Sequence, residues 1–357
     1  MQALPLPITL GRVVKQINPG LARLWLADST RQYGAHVQAK LENLSEEQHR
    51  LLDYLESGVS DNQLAFLSGM ALANQSTTDN LLSRLRPLIS TTSSFLPDFS
   101  EADVSRHFSE IMRLFLLDAK DPAETLKARG VMKIFVSSLD RTGLTVIRAL
   151  AASAIGSVFT EDHQPVGPGD TLQLGYPPQL LKIQRAKAAK SLEPGIEIQL
   201  HSRRSNAFDR ADIAILISND VVRPGIYQPW MSRDVPHISV CYDEVGVEVS
   251  HLVIPGVTPC LGCIELAKIR HDKHRISVAT QLANLDRNLA DSSSILFGAG
   301  VLLSKALNYL DRIDISQSVE LTRLNRDGEV IELEADWTNC GCRTGGQSPK
   351  LGGQVGD

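Results

Sequence analysis

Four of the five cysteines in this chain fall in two close pairs: Cys260 and Cys263 within Pro255-Gly-Val-Thr-Pro-Cys-Leu-Gly-Cys263, and Cys340 and Cys342 within Asn339-Cys-Gly-Cys342. Thiolates at such spacing can converge on one tetrahedral Zn²⁺. The first pair has the C-x-x-C spacing of a zinc knuckle, and the second is tighter. Gly262 and Gly341 supply the backbone freedom that a tight metal turn needs. A site of four thiolates has no open coordination position, so its zinc would be structural, with a folding contribution on the order of 10 kcal/mol. Two other readings stand beside it. A redox C-x-x-C needs a reactive thiolate at a helix N-terminus, and residues 264–271 do read as helical. Two buried pairs without a metal form the third. His251, His271 and His274 are close enough in sequence to replace a cysteine ligand, although four thiolates suffice.

The elements that must position these residues follow from composition and pattern. The chain's 357 residues suggest two domains, and its formal charge of -5 includes no basic run of five or more, which argues against a nucleic-acid partner. No stretch of about 18 consecutive apolar residues predicts a membrane span. The N-terminal MQALPLPITLGR lacks the basic region and long apolar core of a signal peptide. Reduced, metal-bound cysteines fit a cytoplasmic setting.

Residues 1–120 read as a small α+β module. Val13-Val14 and Leu21–Leu26 are strands, Ser45 with Gln48 opens a helix ending near Gly58, a second helix spans 61–71, a third runs from Ser76 to Pro87, and a longer one starts at Ser100 with Asp103 as its partner. A β unit followed by three short helices is winged-helix-like. Such a module recognises a peptide or DNA, or serves as an interaction or dimerisation domain, and Arg84 and Arg86 alone on the third helix argue against DNA. Residues 121–130 read as a polar linker.

From residue 131 the pattern changes to α/β. Val131–Val136, Ser157–Thr160, Ile196–His201, Ala211–Ser218 and His237–Cys241 are strands, the near-continuous apolar ones belonging to a parallel sheet buried on both faces. Leu144–Ala154, Gln184–Leu192, 263–271 and 293–311 are helices. Arg326-Asp327-Gly328 turns a final hairpin. Strand, turn, helix, strand is the opening of a Rossmann-like unit. The tail 343–357 reads as disordered.

An α/β sheet followed by P-G-x-x-P-C-x-x-C and a distant second cysteine pair resembles the ThiF/MoeB superfamily of ubiquitin-activating-like adenylyltransferases. With the N-terminal module it looks most like the ThiF-like, cyclodehydratase-domain proteins of thiazole/oxazole-modified peptide clusters and their actinobacterial relatives. The resemblance covers about residues 130–342. It implies a ThiF-type sheet at 131–342 with a structural zinc on Cys260, Cys263, Cys340 and Cys342, and a homodimer formed through this domain, with helix 293–311 as interface or core. It also implies an ATP/Mg²⁺ site. In that site Gly143 matches one glycine of the family's G-x-G-G-x-G loop, Glu161 or Asp162 stands at the end of the second strand, and Asp220 is the Mg²⁺-binding carboxylate.

The departures are specific. The loop is Ser137-Ser-Leu-Asp-Arg-Thr-Gly143, in which Asp140 puts a carboxylate beside the phosphates unless Mg²⁺ or Arg141 offsets it. The stretch 165–175 holds no basic residue, leaving Arg185 and Lys187 as the nearest candidates for the family's triphosphate-binding cations. No cysteine lies between Cys263 and Cys340, so no thioester step is expected. Two readings remain open. One is a pseudoenzyme scaffold that binds a peptide or protein partner through the N-terminal module. The other is an active adenylyltransferase using Asp220, Asp162, Arg185 and Arg141 to activate a C-terminal carboxylate. A nicotinamide or flavin oxidoreductase needs the same absent glycines. His237 and Cys241, four positions apart on one strand, read as core residues, and Tyr227 and Trp230 as core or interface anchors.

Overall fold

Short alternating runs interrupted by turn residues become the strands of the N-terminal half. In this computed structural model of the chain the described residues are 13–60, 62–63, 75–93, 100–117, 121–172, 174–201, 211–285, 287–312, 319–334 and 342. They divide into two compact units, Met1–Ala128 and Arg129–Asp357.

In the first unit, β1 (Val13–Ile17) is followed by β2 (Arg23–Ala27), β3 (Thr30–Tyr33) and β4 (Ala39–Leu41), then α1 (Glu46–Ser57), α2 (Gln75–Leu85), β5 (Ile89–Ser93), α3 (Glu101–Arg106) and α4 (Phe108–Leu116). β2, β3 and β4 form an antiparallel sheet, and β1 pairs with β5. Ser45 and Gln48 close the expected capping box on α1, whose Leu51, Leu52 and Leu55 pack with Ile17, Tyr33, Leu81 and Leu85. Ser100 and Asp103 close another, but the helix they open breaks at His107, which leaves helical geometry and splits it in two. The helix expected over 61–71 lies outside the described residues beyond 62–63, as does the tail 343–357. The segment read as a polar linker forms α5 (Pro122–Gly130). Asp121 accepts the Ala123 N–H at 3.0 Å, and Pro122 stands at the first helical position, where its missing N–H costs nothing.

The second unit continues with β6 (Lys133–Val136), α6 (Arg141–Ala152), β7 (Ser157–Thr160), α7 (Arg185–Leu192), β8 (Glu197–Leu200), β9 (Ile213–Asn219) and α8 (Pro224–Met231). After these come β10 (His237–Tyr242), β11 (Gly246–Val249), α9 (Leu261–His271), α10 (Arg275–Leu282), α11 (Ser292–Leu310), β12 (Glu320–Asn325) and β13 (Val330–Glu334). One sheet runs β13-β12-β11-β10-β9-β6-β7-β8, with the five strands from β10 to β8 parallel. Alternation sends Ile134, Val136, Ile213, Ile215 and Ile217 to the face covered by α6, α7 and α11, and Phe135, Ala214 and Leu216 to the face of α8 and α9. Burial on both faces is why these strands read as continuous apolar runs. α11 is long and apolar enough to cross a membrane, but its Ile295, Leu302 and Leu307 are fully buried in this core. Sequence reading missed α8, β11 and α10. α8 opens on a Pro and contains a second, Pro229, and β11 is a four-residue strand.

Arg129, with no exposed side-chain surface, clamps the start of the unit. It donates to both carboxylate oxygens of Asp311 at 2.8 and 2.7 Å and to the Ser153 carbonyl at 2.8 Å. Removing the guanidinium takes two charge-assisted hydrogen bonds from a buried carboxylate. Arg129→Met is expected to cost this unit about 3–5 kcal/mol by urea denaturation, and pairing it with Asp311→Leu is expected to restore most of the loss.

Candidate functional site

In a sheet of this order, ligands bind beyond the carboxyl ends of the strands where the order reverses, here between β6 and β9. Ser137–Asp140 follow β6 and enter α6 directly. The Asp140 carboxylate caps the helix, accepting the N–H groups of Thr142 at 2.9 Å and Gly143 at 3.1 Å. The Leu139 N–H donates to Asp162 at 2.7 Å. These are the donors that a phosphate uses at a helix N-terminus, and carboxylates of the chain itself occupy them. Burial pushes the Asp140 carboxyl above the usual carboxylate range, against the lowering effect of the Gly143 N–H and Arg185. Gly143 answers a steric demand inside the turn, because a Cβ there would lie 1.9 Å from the Ser138 carbonyl oxygen.

The candidate cations are engaged as well. Arg185 contacts Asp162 at 3.2 Å and Asp170 at 2.8 Å, and Asp170 also accepts the Gly167 N–H at 2.9 Å. Tyr176 completes this wall by donating to the Leu139 carbonyl at 2.7 Å. Arg141 turns toward the start of α11, donating to Ser292 Oγ at 2.9 Å and the Ala290 carbonyl at 3.4 Å. Lys187 is exposed. The structure therefore gathers Asp140, Gly143, Asp162 and Arg185 around one turn. Sequence reading missed Asp170, whose visible signal was its Gly-Pro-Gly-Asp turn.

Asp220 directly follows β9 and lies in the left-handed region, with φ of 62°. It is buried, and a guanidinium sits on it: Arg287 contacts both carboxylate oxygens, Nε at 3.0 Å from Oδ2, and also reaches Glu244 at 2.6 Å. The Asp220 and Glu244 carboxylates raise the Arg287 pKa further and hold it charged. Asn219 accepts the Leu289 N–H at 3.2 Å, so the segment before α11 is tied across the end of β9. Arg287 is the only Lys or Arg between Arg275 and Lys305, a signal that sequence reading passed over.

On the other face of the sheet three thiols converge. Cys260 caps α9 and Cys263 lies in its first turn. Their sulfurs are 3.8 Å apart, Cys342 Sγ lies 3.6 Å from Cys263 Sγ, and all three fall within 4.8 Å of one another. Around a tetrahedral ion with metal–sulfur distances of about 2.3 Å, sulfur–sulfur edges are about 3.8 Å. The donor set therefore fits a metal ion, and a third thiol is one more than a redox pair requires. Cys340 and Gly341 lie outside the described residues. Gly262 sits inside α9, so it serves space more than turn freedom: a Cβ would meet Tyr227 Oη at 3.0 Å and Cys260 Sγ at 3.3 Å. His251 gives its Nε2 to the Pro259 carbonyl at 2.6 Å. Burial pushes the Cys241 thiol up to about 12 and lowers His237 to about 4, so this pair has no reactive thiolate near neutrality.

In the first unit, β2 lies at an edge of its sheet and exposes Leu24, Trp25 and Leu26. Trp25 stacks on His49, and the Arg31 guanidinium lies 3.9 Å from its ring centre.

A scan against protein-family models finds no match, and no curated protein matches the chain. Solved structures do match. Escherichia coli MccB aligns over 96% of this chain and 99% of its own, with a TM-score of 0.68 at 12% identity. The fold is that of MccB. MccB is described as a microcin C7 biosynthetic enzyme, and its structures include complexes with ATP (TM-score 0.64, 13% identity, 90% of this chain and 97% of that one) and with N-formylated MccA (TM-score 0.66, 13% identity, 92% and 99%). PaaA covers 73% of this chain and 92% of its own, with a TM-score of 0.56 at 17% identity. At these identities the likeness is one of fold alone.

Two substitutions separate the roles in the β6–α6 turn. Asp140→Ala is expected to cost about 0.5–2 kcal/mol, the worth of a helix cap. Gly143→Ala is expected to cost more, since the Ser138 backbone must move. Thermal or urea unfolding of both variants measures the difference.

Proposed function

We propose that this protein is a zinc-stapled, ThiF-like scaffold that binds a peptide or protein partner through its N-terminal unit and has lost nucleotide chemistry. One observation carries the reading: the backbone donors of the β6–α6 turn are taken by Asp140 and Asp162. An incoming triphosphate would have to displace two carboxylates and approach two negative charges. Catalysis by adenylyl transfer rests on positioning and on neutralising phosphate charge with Mg²⁺, Arg and Lys. Here Arg185 is committed to Asp162 and Asp170, and Arg287 stands on Asp220 where a metal ion would otherwise bind.

The metal reading rests on the three converging thiols. Zn²⁺ held by Cys260, Cys263 and Cys342, with Cys340 as fourth ligand, would join the chain's C-terminal end to α9 and supply folding energy. The partner reading rests on β2, an edge strand with three exposed large apolar residues, where an extended peptide can add as a further strand. The protein would act as a homodimer in the cytoplasm, where its thiols stay reduced.

A specific observation supports a second reading, an active ATP-dependent adenylyltransferase: the fold of ATP-bound MccB extends over 90% of this chain, and Asp220 directly follows β9, a strand at the switch point. Calorimetry of Mg-ATP on the zinc-replete protein decides between the two. The scaffold reading expects no heat up to millimolar ATP. Micromolar binding that Asp220→Ala abolishes would overturn the scaffold reading and favour the adenylyltransferase, which peptide-stimulated pyrophosphate release would then test.

The metal is checked separately. One zinc per chain is expected by elemental analysis, with Cys263→Ser losing it and the C-terminal unit melting at lower temperature after chelation.

A further inference from the structure

Beside the cysteines, the C-terminal unit carries a groove among α8, α9 and α10, with Cys260 in its lining. Its volume is about 760 Å³, and Tyr227, Met231, Leu266, Ile269, Ile276 and Ala279 give it apolar walls. α10 forms one wall while burying none of its own residues. Ile276 is 62% exposed and Leu266 is 39% exposed, and both line the groove. Arg275 holds α10 to α9 through Glu265, with Nε at 2.9 Å and Nη2 at 3.0 Å from the two carboxylate oxygens. The helix is thus held by a charge pair at its base while, among the described residues, none of its apolar side chains is buried. Large apolar side chains grouped in a concave surface mark an interaction site.

The rim says what chemistry fits. With Glu265 matched by Arg275, the remaining charged lining residue is Arg223, whose guanidinium reaches only the Ala283 carbonyl, at 3.4 Å, among the described residues. The α9–α10 turn leads into the lining residues Arg275 and Ile276 and exposes Lys273. Arg223 and Lys273 are cations on a chain whose formal charge is -5. Complementary potentials select partners and speed their encounter.

We infer that this groove docks an acidic, amphipathic helical segment of a partner protein. The segment seats two or three large apolar side chains between α8 and α10 and sets its carboxylates against Arg223 and Lys273. α10 is two turns long, roughly 12 Å at 1.5 Å per residue, so the anchors fall at positions i, i+3 or i+4, and i+7 of the segment. This surface is separate from the β2 edge of the N-terminal unit and does not depend on the fate of ATP.

The test uses the full-length, zinc-replete protein and fluorescein-labelled synthetic peptides of about four helical turns. One carries Leu on a single helical face with Glu elsewhere, another replaces every Glu by Lys, and a third scrambles the Leu positions. Fluorescence anisotropy is expected to give micromolar binding of the acidic amphipathic peptide, weakening as salt rises, with the Lys and scrambled peptides about tenfold weaker or worse. Ile276→Glu, on a helix that buries nothing, should fold normally by circular dichroism and lose the binding. Arg223→Glu with Lys273→Glu should weaken it about tenfold. The inference fails if the acidic peptide does not bind, if the Lys peptide binds equally well, or if Ile276→Glu has no effect. It also fails if the peptide leaves the groove empty and sedimentation shows a dimer that Ile276→Glu dissociates, which would assign the groove to a second copy of this chain.

Discussion

The turn between β6 and α6 depends on two carboxylates, and the character of the C-terminal unit follows from them. A helix N-terminus presents unsatisfied N–H groups and partial positive charge, and it can be completed by a bound anion or by the chain's own side chains. Asp140 satisfies the α6 terminus from within, and Asp162 satisfies Leu139 from the end of the neighbouring strand. Arg185 then balances Asp162 and Asp170, so the charges close on one another. Opening any part for a ligand exposes buried charge in the rest.

The same economy of charge recurs at the end of β9. Asp220 adopts a backbone conformation uncommon for a residue with a side chain, and Arg287 neutralises it from a segment far away in sequence. Arg141, a candidate for phosphate in isolation, instead anchors the start of α11. Residues whose types suggest nucleotide chemistry thus hold secondary-structure elements together. The cysteine cluster adds a further tie on the opposite face, bringing Cys342 beside the first turn of α9. On the proposed reading, the sheet is a rigid platform, and recognition has moved to surfaces, the β2 edge and the groove beside α10.

Much of the architecture was legible because local signals agreed with long-range ones. Capping boxes at Ser45 and Ser100, continuous apolar runs in β6 and β9, and the Asp-Gly turn before β13 each report a backbone requirement met within a few residues. Where such signals conflicted, the reading failed. The acidic and basic residues of 121–130 looked like a connector, yet Asp121 and Pro122 start a helix. α8 was hidden by its two prolines, and α10 by having no buried face to give it a period.

By itself the sequence determined the parallel character of the strands after residue 131 and the pairing of cysteines that thiolate chemistry can use. These are properties of composition and spacing, set by the periodicity of burial and by ligand valence. Only the tertiary structure decided what the charged residues do. Whether Asp140 meets a phosphate or an N–H, and whether Asp220 meets a metal ion or Arg287, depends on distances between segments that spacing along the chain does not encode. Electrostatic energy falls with separation in space, so a carboxylate's role belongs to the neighbour the fold brings to it.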